Sequence, residues 1–286
     1  MPQAHQQPHP TSTSTTSAPL ALIDAHVHLH PRFDLPVMFD HAAVNIARAA
    51  ARLHLPPQPL GILMLTESLN VDRFAELSRR LGQRLGRWHV HPRDENESLQ
   101  LVRDTGQQLT LIAGRQIVTR ERLEVLALGT RRRFDDHQPI EDIIHQLKRT
   151  TALTVIPWGF GKWTGKRGQT LRQLLQSPLA DGLFLGDNAG RPQHTPTPSL
   201  FHLARQHAVR LLPGTDPLPL PRQQHRAGRF GFILPIPPDN TRPFHTLHHL
   251  LHHHLAQPRI FGRRDGYLAF IAAQLALRLP NFKPAT

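Results

Sequence analysis

Short apolar runs alternate with segments of helical period along most of this 286-residue chain. Because strands that are separated by helix-sized spacers pair in parallel through crossover connections, this alternation limits the chain to a few α/β architectures. The number of runs favours a distorted barrel of seven or eight β/α units. The strand-like runs are "LALIDAHVH", "LGILMLT", "LTLIAGRQIV", "LEVLALGT", "ALTVIPWG", "GLFLGD" and "VRLLPGTD", with "RWHVHP" as a further short strand.

The spacers between these runs carry apolar residues at helical spacing. They predict helices over 37–53, 71–85, 139–148, 170–175 and 199–207, and another helical stretch after "RWHVHP". From about residue 240, "FHTLHHLLHHHL" and "GYLAFIAAQLALRL" predict two helices that pack on the barrel, the first with a leucine face and a solvated histidine face. We therefore expect one barrel domain over residues 20–286 with a C-terminal helical extension.

The first 19 residues consist mainly of Pro, Gln, Ser, Thr and His, with almost no apolar side chain to bury. This composition predicts a disordered tail. The beginning of the chain lacks the pattern of a signal peptide, and no apolar run approaches the ~18 residues of a membrane span. We expect a soluble, cytoplasmic protein that does not insert into membranes.

The chain is strongly basic, with 34 Lys and Arg residues against 21 Asp and Glu residues and a formal net charge of +13. A positive surface attracts anionic partners. The arginines are spread over many segments and form no recognised nucleic-acid motif, so an anionic small-molecule substrate is favoured, and nucleic acid stays a less favoured alternative. The chain has no cysteine, so only His, Asp or Glu side chains can bind a metal.

The stretch "LIDAHVHLH" places His26 and His28 at the end of an apolar strand. Since alternate side chains of a strand point to the same face, both imidazoles can bind one ion. The competing interpretation is a structural or surface pair, because the chain contains 21 histidines. Polar side chains also end other apolar runs, and the carboxyl ends of barrel strands form a common rim. These rim residues are His26, Glu67, Trp158, Asp187 and Asp216.

The order of "DAHVHLHPRFD", "ILMLTE", "IAGRQIVTRERLEVLALG", "LFLGDN" and "LLPGTD" resembles the motifs of the PHP superfamily, the polymerase and histidinol phosphatase domains. The resemblance spans about residues 20–221. It implies a distorted, mostly seven-stranded α/β barrel with a two- or three-metal centre that hydrolyses phosphoesters. An amidohydrolase-type barrel that hydrolyses C–N bonds shares the His-x-His motif and the last aspartate, but its strand lysine and further rim histidines have no match here.

The chain departs from the PHP pattern at several positions. Where the family usually carries Thr-Asp-His, this sequence has Thr66-Glu67-Ser68, and the usual Gly-x-Glu ends in Gln116. Glu124 matches a histidine position, and the last motif keeps Asp216 but lacks the histidine that follows. The set is poorer in imidazole and richer in oxygen ligands, which favours one or two hard or borderline divalent ions such as Mn, Zn, Fe or Mg over a trinuclear centre.

The segment "PWGFGKWTGKRG" combines glycines, tryptophans and cations, as a loop that binds an anionic substrate would. The competing interpretation is an ordinary loop with packed tryptophans and solvated cations. "GDNAGRP" follows the next strand-like run and adds an aspartate, an amide and an arginine, or forms only a turn. The expected substrate-binding residues are Trp158, Lys162, Asn188 and Arg191.

Together these patterns predict a divalent-metal-dependent hydrolase of an anionic ester. The expected metal ligands are His26, His28, Asp34, Glu124 and Asp216, and the expected catalytic carboxylates are Glu67 and Asp187. The alternative is a barrel that has lost hydrolysis and binds an anionic ligand or a partner protein.

Overall fold

The computed structural model describes residues 19–56, 59–253 and 256–278. Most of the tail expected over residues 1–19 lies outside these ranges. The described chain has thirteen strands and seven α-helices. The strands are β1 Ala21–Val27, β2 Leu60–Leu65, β3 Arg84–Leu85, β4 Trp88–Pro92, β5 Ser98–Arg103, β6 Gln108–Ile112, β7 Gly114–Val118, β8 Glu124–Leu128, β9 Leu153–Pro157, β10 Leu183–Gly186, β11 Arg210–Leu211, β12 Phe230–Leu234 and β13 Arg259–Gly262. The helices are α1 Leu35–Arg52, α2 Arg73–Ser78, α3 Ile140–Leu147, α4 Gly165–Leu175, α5 Ser199–Gln206, α6 Pro243–His253 and α7 Tyr267–Ala276.

The strands form two sheets rather than one closed barrel within the described ranges. The first sheet has the order β13-β12-β1-β2-β6-β5-β4-β3, and the second has the order β11-β10-β9-β8-β7. Backbone hydrogen bonds join the sheets on two sides. Glu67 N donates to Gly114 O at 3.1 Å beyond β2, and Ala25 N of β1 donates to Pro213 O at 3.2 Å beyond β11.

Parallel pairing, which the alternating pattern predicts throughout, holds for only four strand pairs. These pairs are β1–β2, β2–β6, β9–β10 and β10–β11. The prediction is wrong for β8, which runs antiparallel to both β7 and β9. Only residues 119–123 connect β7 to β8, and so short a connection makes a hairpin, since a parallel crossover needs about a dozen residues or more.

Two other predicted elements also differ from the structure. The helix expected over 71–85 is limited to α2, because Gly82 and Gly86 adopt positive φ angles of 74° and 61° and end the helical path. The helical stretch expected after "RWHVHP" is instead β5, whose Leu99 and Leu101 are buried on either side of the half-buried Gln100. This alternation has the period of a strand.

A bulge in β1 decides which way its histidines face. Between Asp24 and Val27, β1 advances three residues while β2 advances from Leu63 to Leu65, so β1 carries one extra residue. Before the bulge, Ile23 and Ala25 belong to an apolar cluster that both sheets share. After it, Val27 and Leu29 belong to the cluster under α1. Since side chains alternate along a strand, His26 and His28 point away from α1.

Three apolar clusters hold the two sheets and the helices together. The first cluster packs α1 on β1 and β2, and the second packs α3, α4 and α5 on the second sheet. The third draws residues from both sheets and from α6. Phe244, Leu247 and Leu251 are the α6 members, all buried, so this helix completes the core between the sheets. The segment from about residue 240 also contributes β13 to the first sheet, in addition to the two predicted helices.

The histidine-rich helix has the two faces that its sequence predicts over the described part of the segment. Its leucines face the third cluster, and exposed or half-buried histidines lie in pairs with tilted rings along the other side. The ring centroids of His248 and His252 are 4.3 Å apart, and those of His249 and His253 are 4.2 Å apart. No helix in the described ranges has the length and apolar character that crossing a bilayer requires.

Candidate metal centre

Two histidines and one aspartate meet where β1 ends. The Nε2 atoms of His26 and His28 are 3.1 Å apart. Asp216 Oδ1 lies 3.4 Å from the first of these atoms and 3.5 Å from the second. In the part of the chain that the structure describes, these three residues form the one group of three or more His, Asp and Glu side chains close enough to share an ion.

Backbone contacts hold Asp216 against the strand that carries the histidines. Its amide donates a hydrogen bond to His26 O at 2.8 Å. Its φ angle of 49° lies in the left-handed region, which costs an aspartate about 1 kcal/mol or more. The hydrogen bond to His26 O holds this conformation, so the carboxylate faces the imidazoles.

Asp24 supports the site from behind and takes no part in the group itself. Its carboxylate is fully buried and accepts hydrogen bonds from His26 N at 3.2 Å, Thr215 N at 2.8 Å and Gly228 N at 2.9 Å, and one from the Thr215 hydroxyl. Burial raises the pKa of Asp24 to about 6, although these hydrogen bonds lower it. The carboxylate thereby connects β1 to the loop that carries Asp216.

The charge states of His28 and Asp216 are those of metal ligands. Burial lowers the pKa of His28 well below its usual value, and the neighbouring His26 lowers it further, so the imidazole of His28 is neutral. Burial alone would raise the pKa of Asp216. The neighbouring imidazoles of His26 and His28 and the positive charge of Lys162 act against burial and lower the pKa, so Asp216 is a carboxylate. Neutral imidazole and ionised carboxylate are the forms that bind divalent ions.

The spacing of the three atoms fits a single ion. A tetrahedral ion with bonds of about 2.0–2.1 Å separates its ligand atoms by about 3.4 Å. The observed separations of 3.1, 3.4 and 3.5 Å lie close to this value. Two imidazole nitrogens and one carboxylate oxygen form a donor set that suits Zn, Mn or Fe better than Mg. The residues present therefore fit a divalent ion.

Asn188 fixes the second oxygen of Asp216. Its Nδ2 donates to Asp216 Oδ2 at 3.0 Å and to Trp158 O at 2.8 Å. Its Oδ1 is buried and has no hydrogen-bond partner. A buried amide oxygen without a partner is costly, so it is a ready acceptor for a donor group that enters the site.

A pocket of about 230 Å³ opens beside Asp216 and Asn188. Trp158 and Lys162, both expected to bind substrate, line it. Helix α7 lines the opposite side through Phe270, among other residues. The pocket therefore joins the candidate metal ligands to the loop that the sequence indicates as a substrate loop.

Glu124 lies in the same pocket but outside the ligand group. Its Oε1 atom pairs with Lys162 Nζ and lies 3.5 Å from Gln116 Nε2. The sequence predicts that Glu124 is a metal ligand. In the structure its carboxylate instead forms an ion pair with Lys162. Lys162 is the cation of this pocket that lies close enough to Asp216 to lower its pKa.

Asp34 and Glu67 are also outside the group, because both carboxylates cap helices. Asp34 is exposed, and its Oδ1 accepts a hydrogen bond from Val37 N at 3.1 Å at the start of α1. Glu67 Oε1 accepts from the first two amides of α2, Arg73 N at 2.6 Å and Phe74 N at 3.1 Å. Each aspartate or glutamate satisfies amides that have no partner within their helix.

Asp187 and Arg191 form a buried ion pair with each other. Both residues are about 6% exposed, and the two guanidinium contacts, from Nε and Nη2 of Arg191, are each 2.7 Å long. In this arrangement both oxygens of Asp187 accept from Arg191, whose Nη1 is buried without a hydrogen-bond partner among the described residues. The sequence places both residues after the strand-like run that forms β10, but it does not reveal that they pair.

Sequence reasoning missed three contributors to this region. His30 lies beyond the end of β1, its ring stacks on His28 with centroids 5.1 Å apart, and its Nε2 lies 2.8 Å from Pro217 O. Thr215 and Gly228 bind Asp24, as described above. A signal existed only for His30, which continues the alternation of the two histidines.

No protein-family model and no curated protein sequence matches the chain. Solved structures do match. PsfC from Pseudomonas syringae PB-5123 has a TM-score of 0.51 and 14% identity, over 90% of this chain and 96% of its own. The lesion-specific endonuclease PfuEndoQ from Pyrococcus furiosus has a TM-score of 0.51 and 13% identity, over 91% of this chain and 67% of its own. At these identities the likeness concerns the fold alone.

Proposed function

We propose that this protein is a divalent-metal-dependent hydrolase of phosphoesters. The observation that carries the proposal is the group of His26, His28 and Asp216 at the edge of a pocket that also holds Lys162. A bound divalent ion would supply a water of lowered pKa and polarise the phosphoryl oxygen. The structural likeness to PfuEndoQ, an endonuclease, is in keeping with phosphoester chemistry.

The chain's own residues supply binding and orientation. Lys162 provides the positive charge that an anionic ester needs, and it can exchange Glu124 for the substrate because both side chains line the pocket. Asn188 holds one oxygen of Asp216 so that the other faces the imidazoles. Trp158 gives the pocket a flat apolar wall suited to the organic part of the ester.

The proposed architecture is a distorted seven-stranded barrel in one domain, made from the two sheets. Its strands would be β1, β2, the β6–β7 segment, β8, β9, β10 and β11. The hydrogen bonds from Glu67 to Gly114 and from Ala25 to Pro213, together with the apolar cluster that both sheets share, support this arrangement. The candidate metal centre would then lie on the rim at the carboxyl end of β1.

A second candidate is a protein that binds an anionic ligand without hydrolysing it. This candidate is favoured because the three other carboxylates expected to act in the site already have partners. Glu67 accepts hydrogen bonds from helix amides, Glu124 pairs with Lys162, and Asp187 pairs with Arg191. An active site of this kind usually needs a general base or further ligands. This candidate predicts that Lys162 is required for binding and that His26 and His28 are not.

The test is metal analysis of the full chain, purified without chelator or nickel resin, and of a His26→Ala/His28→Ala variant. We expect about one equivalent of Zn, Mn or Fe in the wild type and its loss in the variant. The matched control is His249→Ala/His253→Ala, which removes an exposed pair of neighbouring histidines on α6 and should leave the metal content unchanged. Equal metal in the wild type and the His26/His28 variant would contradict the proposal.

The same proteins are then assayed with p-nitrophenyl phosphate and bis(p-nitrophenyl) phosphate. Hydrolysis should fall by at least about a hundredfold in the His26/His28 variant and stay unchanged in the control. A metal that binds at His26 and His28 without any phosphoester turnover favours the binding protein. Turnover of an amide substrate instead would favour the amidohydrolase alternative.

A further inference from the structure

A second pocket, of about 540 Å³, lies where the C-terminal part of α1 meets the loop before α7. Its volume falls in the range of about 300–1,000 Å³ that small-molecule sites occupy. It lies apart from the candidate metal ligands, none of which lines it. Five arginines and a single carboxylate, that of Asp265, line this pocket. The arginines are Arg48, Arg52, Arg229, Arg263 and Arg264.

The one carboxylate in this arginine pocket is already occupied. Asp265 is buried, and its Oδ1 accepts hydrogen bonds from both Arg226 and Arg229. Within the described residues, Arg48, Arg52 and Arg263 form no ion pair and are exposed to the pocket. The cations therefore outnumber the anions, and like charges held this close repel each other unless a ligand neutralises them.

Three further features give the pocket a built geometry. On α1, Asn45, Arg48 and Arg52 follow helical spacing, so one face of the helix presents all three to the pocket. Arg264 Nη1 is buried and has no hydrogen-bond partner, a state that costs about 1–3 kcal/mol and that an acceptor would relieve.

The third feature is the N-terminus of α7. Its N-cap, Gly266, provides no side-chain hydrogen bond, and Gly266 and Ala269 line the pocket. The first amides of a ten-residue helix, together with its dipole, favour an anion there. The chain reaches this point through Gly262, whose φ angle is 82° and which lies so near Arg229 O that an added Cβ would be 1.9 Å from it. This tight turn directs Arg263 and Arg264 into the pocket.

We propose that the arginine pocket binds an oligophosphate, an anion with two or three linked phosphate groups. Arg229 already shares Asp265, and the other four guanidinium groups together with the uncapped helix end carry more positive charge than one phosphate neutralises. Planar guanidinium groups also bind phosphate oxygens in pairs, which suits several phosphates in a row. The proposal does not rest on the metal-dependent activity, because the pocket shares only Asp265 with the pocket beside Asp216.

Calorimetric titration of the full chain with inorganic tripolyphosphate tests the site. We expect Arg48→Gln/Arg52→Gln to raise the Kd by at least about tenfold. The two arginines are exposed and form no ion pair in the described residues, so their replacement should not unfold the chain. The matched control, Arg79→Gln/Arg80→Gln, removes the same charge from two exposed arginines outside the pocket and should change the Kd by less than about twofold. The His26→Ala/His28→Ala variant should bind as tightly as the wild type.

An equal loss in both arginine variants would overturn the proposal, because the binding would then reflect net charge alone. Loss of binding in the His26/His28 variant would also overturn it, since the anion would then lie at the metal centre. Orthophosphate that binds as tightly as tripolyphosphate contradicts the oligophosphate class. A nucleoside triphosphate identifies the source: tighter binding than tripolyphosphate indicates a nucleotide, and equal binding indicates recognition of the phosphates alone.

Discussion

Glu67 illustrates how the role of a residue is decided by its partners. Its side chain is buried, caps α2 and lies 3.6 Å from Arg115 Nη1, itself buried. Burial raises the pKa of Glu67 to about 7, although Arg115 and the helix amides oppose this shift. Glu67 thus binds the N-terminus of α2 and Arg115, and it stabilises the loop after β2. It is not among the three side chains that could share an ion.

This shift predicts a pH dependence of stability. Because the pKa of Glu67 is about 7 in the folded chain and about 4.5 in the unfolded chain, the folded state binds the proton more tightly. The protonated side chain of Glu67 contributes about 3 kcal/mol to the free energy of unfolding below about pH 4.5. This contribution is lost as the pH rises through about 7. Urea unfolding from pH 4.5 to 8 should therefore show Glu67→Gln gaining stability relative to the wild type as the pH rises.

The control is Glu76→Gln, which removes an exposed carboxylate from the same helix and should show little change with pH. A constant difference between Glu67→Gln and the wild type across the pH range would contradict the raised pKa.

At the scale of elements, the candidate metal centre depends on the contact between β1 and the loop after β11. Gly214 lies at this contact, and an added Cβ would be 2.3 Å from His26 N and 2.6 Å from His26 Cβ. We expect Gly214→Ala to push the loop away from β1, to lower the free energy of unfolding by about 1–3 kcal/mol and to weaken metal binding. Urea unfolding and metal titration measure the two effects.

Gly266→Ala is the matched control, because nothing lies within 4 Å of an added Cβ there. It should cost less than about 1 kcal/mol and leave metal affinity unchanged. Full metal affinity in a folded Gly214→Ala variant would show that Asp216 does not depend on this contact.

At the scale of the whole molecule, the third apolar cluster makes the stability of the two sheets interdependent. Phe244 of α6 is buried in it, and its ring occupies the space that a side chain at Gly129 would need. We expect Phe244→Ala to cost about 3–5 kcal/mol and to lower the unfolding midpoint of both sheets together. Leu268→Ala on α7, where the side chain is 85% exposed, is the near-neutral control.

Trp88 belongs to the first cluster and Trp163 to the second, so single-tryptophan variants can follow each cluster separately. Coincident transitions are expected for both probes. Different unfolding midpoints for the Trp88 and Trp163 probes would mean that the two sheets unfold as independent units.

The sequence predicts those features that depend only on neighbouring residues along the chain. The alternation of His26 and His28 and the position of Asp216 after an apolar run indicate three of the five expected ligands, which the structure brings close enough to share an ion. The partners of Glu67, Glu124 and Asp187 were not predictable, since a carboxylate near a strand end has the same local sequence whether it binds a metal, a lysine or a helix end. Strand direction failed at β8 for a similar reason, because the pattern of apolar runs does not specify it.

The extra residue in β1 means that the letters His-x-His do not by themselves specify a metal site in this chain. A protein with the same motif and an unbroken strand would turn both imidazoles towards α1 and away from Asp216. Insertions and deletions between Asp24 and Val27 should therefore be tolerated far less well than substitutions, because a change of one residue exchanges the inner and outer faces of everything that follows it in the strand.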